Sequence, residues 1–148
     1  MTTADDWERH AAWWQAEFTE GADPEYDEQL IPLAVELVGA ATRVLDLGCG
    51  EGQIARAVAA AGGGSRRLVG VDVAAGQVAE AARRGGGVAY ARAGAEALPF
   101  ADGAFDAVNV TLVLEHLDDL DTTVAEIARV LAPGGHLVLQ LNHPCFQT

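Results

Sequence analysis

The chain has 148 residues and a formal net charge of −13 at neutral pH, with half of its residues hydrophobic (50%) and few aromatic (6%). That length supports one domain with a real core, and the charge argues against a nucleic-acid acceptor, because phosphate would be repelled. No apolar run reaches membrane-spanning length, and all nine basic residues are Arg, which removes a Walker A lysine and any Schiff-base lysine.

Residues 1–40 differ from the rest. They hold Trp7, Trp13 and Trp14, and their acids, at 5, 6, 8, 17, 20, 23, 25, 27, 28 and 36, face Arg9 alone. Trp7, Trp13, Trp14 and Phe18 recur near helical spacing and predict an amphipathic helix. Gly21-Ala22-Asp23-Pro24 breaks it, and a second helix is expected from about Pro24 to Val38. The opening Met1–Asp6 is acidic and lacks the plan of a signal peptide, and two cysteines do not suggest a disulfide framework. A cytoplasmic protein is expected.

From Thr42 onward strands and helices alternate. Strands are expected at Arg43–Leu47, Leu68–Asp72, Val88–Arg92, Ala107–Leu112 and His136–Leu141, and helices at Gln53–Ala61, Ala75–Arg84 and Leu120–Leu131. The apolar runs lack period-2 alternation, as in a sheet covered on both faces. The succession predicts a parallel sheet with right-handed crossovers. Gly62-Gly63-Gly64 and Gly85-Gly86-Gly87 are loops at helix ends, and Pro133-Gly134-Gly135 is a tight turn.

The richest stretch is Val44-Leu45-Asp46-Leu47-Gly48-Cys49-Gly50-Glu51-Gly52. A buried strand runs into a turn with glycine at alternate positions, where no Cβ blocks a ligand's approach. A dinucleotide fingerprint would place its third glycine where Gln53 stands. Pyrophosphate also wants a helix N-terminus free of acids, whereas Asp46 and Glu51 suit a cationic ligand. Asp72, 20 positions after Gly52, ends the second strand, where a carboxylate can accept ribose hydroxyls or cap a helix.

Asp46-Leu-Gly48-Cys-Gly50-Glu-Gly52 resembles motif I of the class I S-adenosylmethionine-dependent methyltransferases. Gly94-Ala95-Glu96-Ala97-Leu98-Pro99-Phe100 with Asp102-Gly-Ala-Phe-Asp106, then Thr111-Leu-Val-Leu-Glu-His116-Leu-Asp-Asp119, then Arg129-Val-Leu-Ala-Pro-Gly-Gly-His136, resemble the type 11 group, which includes ubiquinone/menaquinone-biosynthesis-like enzymes. The resemblance covers residues of about 40 to 142. It implies an α/β, Rossmann-like doubly wound parallel sheet of about five strands, in the order 3-2-1-4-5, over residues 41–148, with an N-terminal helical arm or lid over 1–40.

S-adenosylmethionine is the cofactor so implied, and a small molecule the acceptor. Asp46, Gly48 and Gly50 would line its methionine end, Asp72 its ribose, and Ala95 and Glu96 its adenine, with Thr111 and Leu112 beside the methionine part and Cys49, Gly52 and Val73 as further cofactor contacts. Where the family pattern has Asp, this chain has Gly94, which removes one acceptor from adenine, worth about 1 kcal/mol. His116 is a candidate base, or a residue that fixes its loop. Trp14, Tyr26, Asn142 and His143 are candidate acceptor contacts. His143-Pro144-Cys145 offers too few ligands for zinc, and no metal is expected.

The family fold has two further strands, giving 3-2-1-4-5-7-6, and this sequence stops at Thr148. An open fifth strand is therefore expected, and with it a shortened piece, or a partner chain or second copy at that edge. A non-catalytic cofactor-binding module is the alternative to an enzyme, and a nicotinamide-dependent oxidoreductase a remoter one.

Overall fold

The computed structural model describes residues 2–19, 21–143 and 145; Met1, Glu20, Pro144 and residues 146–148, and with them the chain's last residues and the middle of the His143-Pro144-Cys145 run, lie outside that description. Five parallel strands, β1 (Arg43–Leu47), β2 (Arg67–Asp72), β3 (Ala89–Arg92), β4 (Phe105–Thr111) and β5 (Leu131–Gln140), form one sheet in the order β3-β2-β1-β4-β5. The helices are α1 (Thr3–Glu17), α2 (Ile31–Val38), α3 (Gln53–Ala61), α4 (Ala75–Arg84) and α5 (Leu120–Val130). The expected fold class and strand order are those observed.

β1 lies at the centre, and Val44 to Leu47 are all buried. Successive side chains point to opposite faces, so Val44 joins Leu68, Ala107 and Val138 under α2 and α3. Leu45 and Leu47 join Val71, Val108 and Val110 under Ile127 and Val130 of α5. After β1 the chain moves outward to β2 and β3, then returns to β4 on β1's other side. That reversal opens a crevice at the strands' C-terminal ends, where open α/β sheets bind ligands.

Three expected elements differ. The helix expected from Pro24 divides into a π-helical turn, Tyr26–Leu30, and α2. Pro32 cannot donate to the carbonyl one turn back, and Ile31 N–H instead reaches Tyr26 O, the longer π step. β4 begins at Phe105, which is buried, and ends at Thr111, because Leu112 turns to φ 56°. β5 begins at Leu131 rather than His136. The register jumps from Phe105↔Leu131 to Ala107↔His136, so Pro133-Gly134-Gly135 is a bulge within the strand, with Gly134 at φ 79°.

α1 begins with a reciprocal cap. The Thr2 hydroxyl accepts from Asp5 N–H at 3.3 Å, and the Asp5 carboxylate accepts from Thr2 N–H at 2.9 Å. The helix docks on α4 through an unusual cap. Ala74, which precedes α4, has no side-chain acceptor to offer, and Glu8 of α1 supplies one. Its carboxylate accepts the N–H groups of Ala75 and, at 2.8 Å, Gly76. Gln15 Nε2 donates to Gln77 Oε1 at 2.8 Å, and Thr3 Oγ1 donates to Asp118 Oδ2 at 2.8 Å on the opposite side.

Glu8→Ala removes that cap at a cost of about 1 kcal/mol. The variant should melt at a lower temperature, and the amides of Ala75 and Gly76 should exchange with solvent faster. Unchanged exchange at both amides would show that Glu8 does not hold α4.

Candidate functional site

The crevice holds a cavity of about 700 Å³. The β1–α3 turn forms its floor. Gly48 N–H and Cys49 N–H both donate to Val71 O, at 2.8 and 2.9 Å, so the turn is stitched to the end of β2. Gly48, Gly50 and Gly52 all have positive φ. A Cβ at Gly48 would collide with the methyls of Val113, and one at Gly52 with the Tyr90 hydroxyl. Two of the three glycines therefore answer to the protein's own packing; at Gly50 a Cβ would only touch Gln77.

Asp46 and Asp72, at the ends of β1 and β2, are among the acids that line the cavity. Asp72 accepts Gly50 N–H at one oxygen and Ala74 N–H at the other, both at 2.9 Å. Burial raises its pKa, and these amides oppose the rise. Asp46 is 4% exposed, and its Oδ1 accepts from Asn109 Nδ2 at 2.9 Å. Its Oδ2 has no partner. Burial pushes its carboxyl up to about 7 and Asp72's charge adds to this, while the Asn109 hydrogen bond and, less strongly, the Ala55 backbone amide at the start of α3 resist it. Glu51 is not available in the same way. Its carboxylate is 1% exposed and pairs with Arg56 at 2.6 Å and Arg84 at 3.1 Å. The expectation that it faces a cationic ligand gives way to an internal ion network, because two guanidiniums reach it first.

The loop after β3 closes one side. Glu126 of α5 accepts Leu98 N–H at 2.8 Å, and Arg129 donates to Leu98 O at 3.0 Å and Phe100 O at 2.7 Å. The Arg129 guanidinium also draws the Glu126 carboxyl down to about 2. This fixes the segment that carries Ala95 and Glu96. The Glu96 carboxylate folds back to within 3.2 Å of where a Cβ on Gly94 would stand.

Aromatic rings form the upper wall. Trp14 stacks on Phe18 at 4.3 Å, Trp7 meets Trp14 edge-on at 5.7 Å, and Trp7 meets His116 edge-on at 5.0 Å. Tyr26 is buried beside Trp14 and Phe18. Its phenol pKa is raised by burial and by Asp46.

Of the sequence-derived candidates, Asp46, Gly48, Cys49, Gly50, Asp72, Val73, Ala95, Glu96, Thr111, Leu112, His116, Trp14 and Tyr26 all line the cavity. Gly52 lies behind it, at the start of α3. Asn142 and His143 are exposed and are not part of the lining. Their backbone leaves the sheet at β5, one strand away from the β1–β4 crevice. Among the described residues no group of acids, His and Cys could hold a metal. Residues not foreseen are Trp7, Glu8, Asn109 and Gln140. Asn109 had a signal: it interrupts the apolar run of a strand covered on both faces.

A carboxyl held near 7 in the folded protein destabilises the fold at higher pH. The folded state binds the proton that the unfolded chain, with its usual carboxyl near 3.8, has lost. That contribution is complete below about pH 4 and gone above about pH 7. Asp46→Asn should therefore melt higher than wild type at pH 8, with the difference shrinking toward pH 4. Equal melting temperatures across the range would contradict a buried acid whose hydrogen bonds only partly offset its desolvation.

A methyltransferase-domain family model matches residues 45–139. A demethylmenaquinone methyltransferase of Thermus thermophilus is 40% identical over 123 residues, covering 80% of this chain and 54% of that protein. An S-adenosylmethionine-dependent methyltransferase of Mesorhizobium loti shares the fold with a TM-score of 0.64 at 28% identity, over 75% of this chain and 52% of that one. The [4+2]-cyclase SpnF does so with a TM-score of 0.68 at 33% identity, over 81% and 47%. The chain spans about half the length of the relatives it matches, 54% and 48% of two demethylmenaquinone methyltransferases. With the β1 turn, Asp46, Asp72 and the loops after β3 and β4 inside the matched segment, the chain belongs to the type 11 methyltransferase-domain family.

Proposed function

We propose that the cavity binds S-adenosylmethionine and that the chain serves methyl transfer to a small-molecule acceptor, in the cytoplasm. The observation that carries the reading is Asp46 Oδ2, a buried carboxylate oxygen without a partner on a residue that lines the cavity. A cationic ligand would satisfy it, whereas a dinucleotide's pyrophosphate would be repelled. When bound, S-adenosylmethionine would supply an ammonium and a sulfonium, and with them a methyl group for a nucleophilic atom of the acceptor, the S–C electron pair staying on sulfur. Asp46 and the 48–52 turn fit the methionine end, and Asp72 and Val73 the ribose. Both Asp72 oxygens keep a lone pair beyond the amides they accept. Ala95 and Glu96 fit adenine, and the folded-back Glu96 carboxylate stands near the position of the acceptor that Gly94 lacks.

The residues before β1 would act as a lid and acceptor wall, with Trp14 and Tyr26 beside the methyl group. Aromatic faces attract a sulfonium and exclude water. Leu112 at φ 56° is a strained non-glycine position on the lining, as functional sites often hold. Free Cys49 and Cys145 suit a reducing compartment. Among the described residues no helix is long and apolar enough to cross a membrane.

A second reading rests on β5. Leu137, Leu139 and Leu141 are 39%, 39% and 47% exposed. A further segment, a partner chain or a second copy against this strand would cover them, and methyl transfer would then depend on that cover.

Calorimetry with S-adenosylmethionine, its demethylated product and NAD tests the first reading. Heat with NAD alone would overturn it. Asp72→Ala should weaken cofactor binding by a loss of about 2–4 kcal/mol, two hydrogen bonds to a charged group, while His116→Ala should leave binding within about twofold. Normal binding by the His116 variant with all turnover lost would make His116 the base. For the second reading, light scattering should show a dimer or larger species, and a monomer that transfers methyl would refute it.

A further inference from the structure

Beneath the cavity, four polar side chains lie on one face of the sheet. Asp46 of β1 stands opposite Asn109 of β4, and Thr111 of β4 stands opposite Gln140 of β5. Asn109 is 1% exposed, and Thr111 and Gln140 are each 7% exposed. Asn109 Nδ2 donates to Asp46 Oδ1 at 2.9 Å and to Thr111 Oγ1 at 3.3 Å. Gln140 Nε2 donates to Thr111 Oγ1 and to Leu30 O, each at 3.2 Å. The chain of hydrogen bonds thus runs from the cavity floor to the end of the π-helical turn that carries Tyr26.

The geometry points to Asn109 as a positioning residue for the cofactor's cationic end: its amide, braced by Thr111 and Gln140, holds the Asp46 carboxylate ionised and leaves Oδ2 for the ligand. This rests on the reading that the cavity takes S-adenosylmethionine. The chemistry requires a donor here. An ionised carboxylate only accepts, so the amide nitrogen must face it. The other titratable neighbours cannot help. Asp72 is of like charge, Tyr26 and Cys49 are pushed up by burial, and Tyr90 is pushed up to about 12, so all three stay neutral near pH 7. Asn109 is the side chain that bonds to Asp46 among the described residues, and its effect is larger than that of the Ala55 backbone amide, which also favours the ionised acid.

The test is the affinity for S-adenosylmethionine, by calorimetry between pH 5.5 and 9, for wild type and Asn109→Leu. Wild-type affinity should fall as pH drops through the neutral range. In Asn109→Leu the fall should begin roughly one to two pH units higher, the equivalent of one hydrogen bond to a charged group. At pH 9 the variant should approach wild type. Weakening by the same factor at every pH, or an overlaid profile, would make Asn109 merely structural and overturn the proposal. Wild type that binds neither S-adenosylmethionine nor its demethylated product would overturn the reading of the cavity instead. The wild-type protein gives a second measurement should the variant not fold. The Asn109 side-chain amide resonance should titrate with the same midpoint as cofactor affinity, and a resonance flat across that range would refute the hydrogen bond's role.

Discussion

The structure depends on one stitched turn. Two consecutive amides, Gly48 and Cys49, share the Val71 carbonyl, and the next, Gly50, is held by the Asp72 side chain. The exit of β1 is thereby locked to the end of β2, and α3 starts at a fixed place. Three positive-φ residues in close succession, Gly48, Gly50 and Gly52, would be costly with a Cβ, and at Gly48 and Gly52 the space is already taken by Val113 and Tyr90. Those contacts come from the segment after β4 and from β3. The turn is therefore a junction of four strands' ends, and it places Asp46 and Asp72 on the same cavity.

That placement costs stability. Asp46 Oδ2, Asn109 Oδ1 and Gln140 Oε1 are buried without partners on the face that also carries the Val44, Ala107 and Val138 core. Each unsatisfied group costs about 1–3 kcal/mol. Apolar residues at both 46 and 109 would satisfy the fold better, whereas one at 109 alone would strip Asp46 of its amide donor. Of the three, Asp46 lines the cavity, so a ligand that bonds to its Oδ2 would add to stability on binding.

Much of this was legible in the sequence. α3 and α4 fall at the expected residues, because glycines bound α3 at both ends and Gly85 ends α4. β1 is bounded as sharply. The cavity's acids and glycines follow from motif spacing, since a strand end and a following turn must lie together. What was not legible depends on pairing across the sheet. The β5 bulge is invisible without knowing what lies opposite Leu131. The fate of Glu51 depends on Arg84, distant in sequence but brought within 3.1 Å. The Asp46–Asn109 contact joins residues 63 apart through a register that no local pattern specifies. Local chemistry marks the ligand-facing residues, while the supporting partners emerge only with the tertiary fold.

The N-terminus of α4 shows how the residues before β1 connect to the site. Three consecutive amides there find acceptors on two different elements: Ala74 N–H goes to Asp72, and Ala75 and Gly76 N–H go to Glu8. A helix N-terminus favours negative charge, so it holds both carboxylates despite their mutual repulsion. Glu8's charge contributes to the raised Asp72 pKa. On the other rim α1 is held by Thr3 to Asp118 and by Trp7 to His116. α1 thus bridges the cavity from α4 to the segment after β4, with its aromatic side facing inward between the two attachments. Any outward movement of α1 must break the Glu8 cap, which shares its helix with the Asp72 site. The position of α1 and the electrostatics of Asp72 are consequently coupled through a single turn of backbone.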